Sequence, residues 1–320
     1  MKDVLMRFVK MHGAGNDYVY VDLFNEELPV PAEELAPMIS NRHFGVGGDG
    51  LVLICPTEEA DARMRMFNPD GSESEMCGNA VRCVAKYVAE RAGTCPRQLK
   101  IATGAGVLTL LCEYKGNEVR RVRVDMGAPI LVPEKIPTTL RSPGVAETDP
   151  VKDVPIASLG LDFSSELGAG SDEWASFMKA PATCVSMGNP HIVVFVEKIT
   201  DALVLKCGPK IERSLENFPR KTNVHFVEVL SKSELRMRVW ERGTGETLAC
   251  GTGACAVGVA GVLTGRTGER VLIHLSGGDL EINWDLKQNH VFMTGPALKT
   301  FSGELTSEFF EQPREKFLIR

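Results

Sequence analysis

A chain of 320 residues, 43% hydrophobic and 24% charged, is globular in composition and long enough for two domains of roughly 150 residues. A formal net charge of −6 with no Lys/Arg cluster excludes a nucleic-acid footprint, which needs a basic stripe to release phosphate counterions. No apolar run approaches the roughly 20 residues of a membrane span, and "MKDVLMRFVKMHG" lacks a secretion signal's apolar core, so a cytoplasmic protein with no membrane partner is expected.

In chain order, the β-branched runs "VYVDLF" and "GLVLIC" read as strands, as does "ARMRMF". The stretch "EMCGNAVRCVAKYVAERAG" (75–93) follows, in which Val81, Val84, Ala85 and Val88 mark one helix face and Gly93 a stop. The alternation in "VRRVRVDM" (119–126) predicts another strand. Residues 131–181, with "PEKIPTTLRSPG" and "LGAGSDE", read as a linker and irregular insertion, and as a candidate hinge. In "LACGTGACAVGVAGVLTG" (248–265), Ala254 to Leu263 is apolar or small on every side, as in a helix buried all round, and Gly265 ends it. The tail 304–320 carries an aromatic pair suited to packing against one of the lobes.

Placing Cys250-Gly over Cys77-Gly defines an offset of 173 (250 − 77), and the same offset aligns much else without a gap. Gly15-Asn16 meets Gly188-Asn189, "YVYV" meets "HIVV", "DGLVLI" meets "TNVHFV", and "RMRMFN" meets "RMRVWE". Such a register, held from Asn16 to Thr103, describes two copies of one unit. The expected fold is α/β in the mixed α+β sense: two pseudo-symmetric lobes, each a curled, mostly antiparallel sheet around a central helix, with the active site in the interlobe cleft. The expected boundaries are 1–130 for the first lobe, 131–181 for the linker, 182–303 for the second lobe and 304–320 for the tail.

Nine cysteines form no C-x-x-C and no His lies at zinc-finger spacing, so no metal is expected. Two of the nine, Cys77 and Cys250, stand at helix mouths, where unpaired N–H groups and the helix dipole favour an anion and lower a thiol's pKa. Asn79 and Thr252 are good cap residues for those helices. If the two mouths converge, a carboxylate-bearing ligand meets two sets of donors and one cysteine on each face. One thiolate could then remove the proton beside the carboxylate while the other thiol returns one from the opposite side. "GAGNDY" and "GVGGDG" resemble dinucleotide loops, but "HFGVGGDGLVLI" runs into a strand instead of a helix, and no pyridoxal-phosphate lysine motif is evident, so no cofactor is expected.

The segments "MHGAGNDY", "RHFGVGGDG", "FNPDGSESEMCGNAVRC", "SMGNPH", "TNVHF" and "ERGTGETLACGTGAC" closely resemble the diaminopimelate epimerase family, over most of the chain apart from the middle insertion and tail. The resemblance implies an isomerase: a cofactor-independent interconversion of LL- and meso-diaminopimelate, in the route to lysine and bacterial cell-wall precursor. It also implies two similar lobes with the site in the cleft, commonly as a homodimer. Carried over by residue, it makes Cys77 and Cys250 the acid/base pair, supported by His191 and Glu241. Main-chain N–H groups of Gly78-Asn79 and Gly251-Thr252 would hold the reacting carboxylate. Asn16, Asn68, Asn189, Asn223, Glu241 and Arg242 would hold the rest of the substrate. Two positions depart from the pattern: Gly50, where some members carry Gln, and Ala80, where the second Gly of "CGNG" is usual. A methyl at residue 80 suits a helix but would clash if that backbone required a positive φ. A related cofactor-independent racemase acting on another amino acid, and a non-enzymatic thiol switch or ligand-binding protein in which Cys77 and Cys250 bridge reversibly, are the competing readings.

Overall fold

The computed structural model describes residues 4–318; residues 1–3 of the expected first lobe and 319–320 of the tail lie outside the described residues. The chain divides into two compact units, one made of the residues up to Val124 with those from Thr294 onward, the other of Asp125–Met293.

Unit 1 runs β1 (Val4–Gly13), β2 (Asn16–Asp22), α1 (Ala32–Ser40), β3 (Leu51–Cys55), β4 (Ala62–Phe67), β5 (Glu73–Ser74), α2 (Gly78–Ala92), β6 (Gln98–Thr103), β7 (Gly106–Lys115) and β8 (Glu118–Asp125). Strand β1 lies antiparallel to β2, β2 parallel to β3, β3 antiparallel to β4, β4 parallel to β6, and β6, β7 and β8 are successively antiparallel. Helix α2 touches β1, β2, β4, β6 and β7, so the sheet curls around it. That wrapping buries more of α2 than the single apolar face read from its spacing: Arg82 and Lys86 are buried as well. Their polar ends find partners. Lys86 Nζ donates to Glu90 at 2.6 Å and to the Val119 carbonyl at 2.8 Å, and Arg82 donates to the Gly78 carbonyl and to Asn79 Oδ1. Burial of the aliphatic stems is thereby compatible with solvated-like heads.

Unit 2 runs β9 (Val154–Pro155), α3 (Ser164–Leu167), α4 (Asp172–Lys179), β10 (Pro181–Ser186), β11 (Pro190–Phe195), α5 (Gly208–Glu212), β12 (Asn223–Val229), β13 (Glu234–Glu241), β14 (Gly245–Thr247), α6 (Gly251–Leu263), β15 (Arg270–Leu275) and β16 (Gly278–Asp285). Strand directions repeat those of unit 1: β10–β11 antiparallel, β11–β12 parallel, β12–β13 antiparallel, β13–β15 parallel, β15–β16 antiparallel. Helix α6 touches β10, β11, β12, β15 and β16, and Ala254 through Gly261 are all buried, as its all-round apolar sequence requires. Even a surface ion pair repeats at the offset of 173. Arg65 Nε meets Glu73 at 2.8 Å across β4–β5, and Arg238 Nε meets Glu246 at 2.8 Å across β13–β14.

After β17 (His290–Pro296), β18 (Leu298–Thr306) pairs with β1 in unit 1, and α7 (Ser307–Phe310) follows. The contact-defined boundaries therefore differ from 182–303 and 304–320: the chain returns to unit 1 at Thr294, and Phe309 and Phe317 of the tail join the core of that unit. Residues 131–181 also fold into a unit. Ile136, Leu140, Val154, Ile156, Phe163 and Phe177 sit in the core of unit 2, and β9 extends the sheet beside β10. Strand β10 is the repeat mate of β1, so each unit completes the same sheet edge with a strand from outside its repeat. Composition misleads over 131–181 because scattered apolar residues between Pro and Gly carry no period, yet bury well once a core is offered.

Candidate active site

Each helix mouth is described within its own unit. Cys77 is itself the N-cap of α2, in extended conformation, and makes no side-chain cap bond; Val81 N donates to its carbonyl at 3.0 Å. Cys250 is likewise the N-cap of α6, with Ala254 N donating to its carbonyl at 2.9 Å. This corrects the expectation that Asn79 and Thr252 cap: both lie in the first helical turn, one residue beyond Gly78 and Gly251. Each sulfur consequently stands over the turn whose N–H groups have no acceptor inside the helix.

Around Cys77, the thiol donates to Asn16 Oδ1 at 3.4 Å, and Asn79 Nδ2 donates to the same oxygen at 3.4 Å. Asn16 is oriented from behind, its Nδ2 donating to Asp49 at 2.7 Å. Asp49 is clamped in turn by Arg42 at 3.0 Å, which also donates to Asp17 at 2.8 Å. Arg42 and Lys10 hold the Asp17 carboxyl below its ordinary range, although burial, the largest influence, opposes them. Burial, and next the Cys77 sulfur, push the Tyr18 phenol well above its usual value.

Around Cys250, Thr252 Oγ1 lies 3.6 Å from the sulfur and accepts from Asn189 Nδ2 at 3.3 Å. Asn189 Oδ1 faces His191 Nε2 at 2.9 Å, and His191 Nδ1 faces His225 Nε2 at 2.9 Å. Gly253 is in contact with both ends of this row: a methyl there would fall 2.2 Å from His225 Cε1 and 3.0 Å from the Cys250 sulfur.

Of the residues expected at the site, Asn16, Cys77, Gly78 and Asn79 come together in unit 1, and Asn189, His191, Cys250, Gly251 and Thr252 in unit 2. Asn223 and Arg242 pair beside His191, the strand partner of Asn223, with Arg242 N donating to Asn223 Oδ1 at 3.0 Å while Asn223 Nδ2 holds the Pro190 carbonyl at 2.9 Å. Glu241 accepts from the Thr247 hydroxyl, and Asn68 closes its own turn by donating to Ser72 at 3.0 Å. Asp49, Arg42, Tyr18 and His225 escaped the sequence reading. For His225 a signal existed, since its repeat mate is Val52 and a histidine replacing valine in a buried strand needs a reason.

Both departures have local causes. Gly50 has φ +154°, and a Cβ there would lie 2.2 Å from the Phe67 carbonyl oxygen, so no longer side chain fits that backbone. Ala80 sits within α2, fully buried and outside the positive-φ residues, so its methyl is compatible with the helix.

Burial drives the His225 imidazole down to about 3, and burial, then His225 and Arg242, hold His191 well below its ordinary 6.5. Both rings are neutral when folded, whereas the unfolded chain binds their protons below about 6.5. Their contribution to stability is therefore present above that pH and is lost as pH falls below it, for His225 progressively down to about 3. Urea midpoints should drop on going from neutral pH to about pH 5, more steeply than in a His225→Val protein. Elsewhere burial raises the thiols of Cys83 and Cys112 to about 11 and those of Cys184 and Cys207 to about 12, marking them as inert.

Among the described residues, no group of three or more His, Cys, Asp and Glu side chains could hold a metal, and no helix is long and apolar enough to cross a membrane.

A family model for diaminopimelate epimerase matches residues 8–132 and 183–300. The chain is 50% identical over 94% of its length to the diaminopimelate epimerase of Agathobacter rectalis, covering 99% of that protein. It is 49% identical to that of Moorella thermoacetica, covering 93% of this chain and 99% of the relative. Among solved structures, a phenazine biosynthesis protein of the PhzF family from Bacillus anthracis superposes with a TM-score of 0.62 at 18% identity, over 94% of this chain and 98% of that one. A hydroxyproline epimerase from Agrobacterium vitis superposes with a TM-score of 0.61 at 13% identity, over 95% and 92%. These two similarities establish the fold alone.

Proposed function

This chain belongs to the diaminopimelate epimerase family and is an isomerase that interconverts diaminopimelate stereoisomers, and from that membership we propose that Cys77 and Cys250 are its acid and base. The observation that carries the assignment is the matched placement of two sulfurs, each the N-cap of a buried helix, at one repeat offset. In the proposed step, a thiolate takes the α-proton of the LL or meso isomer. The bonding pair moves into the adjacent carboxylate, and the opposing thiol delivers its proton to the other face. The two cysteines thereby exchange protonation states, and no cofactor enters.

Amino acid α-protons are weakly acidic because the carbanion adds charge beside a carboxylate. Main-chain N–H groups of Gly78-Asn79 and Gly251-Thr252 are assigned to meet that charge. Donors of this kind are each worth roughly 2.7–4 kcal/mol in a water-poor site, against about 0.3–1 kcal/mol for a helix dipole at an exposed surface. Asn16 and Asn189, held by Asp49 and His191, are assigned to the rest of the substrate. Asn68, Asn223, Glu241 and Arg242 are assigned to the distal amino acid end, where the Arg242 fork suits a carboxylate.

The test is α-proton exchange in heavy water against a panel of amino acids. Rapid exchange and inversion of diaminopimelate are expected, and exchange with another amino acid but none with diaminopimelate would overturn the substrate assignment. The homodimer and cytoplasmic location belong to the same reading, and are checked by sedimentation and by cell fractionation.

A further inference from the structure

Strand β12 carries a histidine that the proposed chemistry does not use. His225 is fully buried and its Nδ1 has no hydrogen-bond partner, whereas Val52, its repeat mate, is equally buried. Valine would serve the packing, and an orphaned nitrogen in the interior calls for a reason. Its other nitrogen supplies one. Asn189 commits Nδ2 to Thr252, so the oxygen that faces His191 can only accept, and His191 must carry its proton on Nε2. The Nδ1 of a neutral His191 is then bare, and His225 Nε2–H must be its donor. Donors thus run one way, from His225 to His191 to Asn189 to Thr252, leaving the Thr252 hydroxyl proton for the Cys250 sulfur at 3.6 Å.

The repeat sharpens the point, because two mated positions change together. Where unit 2 has His225 and Gly253, unit 1 has Val52 and Ala80, and Gly253 is the residue whose methyl would strike His225. Around Cys77, among the described residues, no histidine pair stands behind the amide: the thiol and the Asn79 amide give to Asn16 Oδ1, and Asn16 gives to Asp49. In place of His191, its repeat mate in unit 1 is Tyr18, which stands beside Cys77.

Resting on the assignment of Cys250 as an acid/base group, we propose that His225 is a positioning residue that locks His191 as its Nε2–H tautomer, so that the Asn189 amide donates to Thr252 and the Thr252 hydroxyl to the Cys250 sulfur, favouring its thiolate. The titratable groups facing His225 are His191 from β11 and Cys250 at the N-cap of α6, its strand neighbours being Val193 and Val239. Arg242 acts on His191 as the nearby fixed charge.

The experiment is NMR of the full-length protein labelled with 15N-histidine, alongside the pH dependence of alkylation at Cys250 read from its peptide by mass spectrometry. In the unaltered protein both rings should carry the proton on Nε2 and be neutral at neutral pH. In His225→Val, His191 should show mixed tautomers and the midpoint for Cys250 alkylation should rise by about one unit, the scale of one lost hydrogen bond to a charged acceptor. His225→Gln, whose amide can still donate to His191 Nδ1, should restore the midpoint and recover kcat/KM. An unchanged His191 tautomer and an unmoved Cys250 in a folded His225→Val protein would overturn the proposal. Should that variant unfold, the unaltered spectrum decides, since a proton on His191 Nδ1 is incompatible with the donor order. Turnover surviving in Cys250→Ser would sink the acid/base assignment instead, and the tautomer measurement does not depend on it.

Discussion

Cys77→Ser and Cys250→Ser should each lower the rate of stereochemical inversion by about 10²–10⁴-fold, the range for losing a positioned proton-transfer group. A hydroxyl is a far weaker acid than a thiol, so the helix donors that make a thiolate available at the N-cap cannot make an alkoxide available there. In the proposed two-base step each sulfur serves one face of the α-carbon, so any α-proton exchange that survives in a single variant should be confined to one isomer, opposite in the two variants. Chiral chromatography and mass spectrometry in heavy water read both quantities. Inversion at the unaltered rate in either variant would refute the two-base assignment.

Gly253→Ala should be the most damaging single methyl in unit 2. A Cβ 2.2 Å from His225 Cε1 and 3.0 Å from the Cys250 sulfur forces a shift in a helix that is buried on all sides, and overpacking of that kind costs about 1–3 kcal/mol. The shift also displaces the sulfur, so activity should fall with stability. Combining it with His225→Val recreates the Ala80 and Val52 pair of unit 1 and should recover the urea midpoint, a coupling measured by a double-mutant cycle. Activity should not recover with it, because the donor to His191 is then missing. A double variant no more stable than Gly253→Ala alone would mean that the two positions are not sterically linked.

Much of the site was legible in one sequence because a duplicated unit keeps its spacing: insertions inside either copy would break both core and helix mouth. The ungapped offset of 173 therefore singles out the two cysteines, their flanking glycines and Asn16 with Asn189 as the candidate site. Strand and helix cores followed from periodicity, since β2, β3, β4 and β8 are runs of residues that suit a pleated, buried surface. Local sequence could not say that Cys77 and Cys250 are themselves the N-caps, because the cap position depends on where the chain leaves the preceding strand hairpin.

What tertiary structure alone decided are contacts between residues far apart in the chain. The sheet curls round α2, so Arg82 and Lys86 are buried on a face whose composition looks solvated. The irregular 131–181 segment and the tail complete their units through β9 and β18, which only a neighbouring strand edge defines. His225 gains its meaning solely from His191, Gly253 and Cys250 around it. Composition and period determine which residues seek burial; partner, tautomer and sheet edge are set by the three-dimensional neighbours that burial brings.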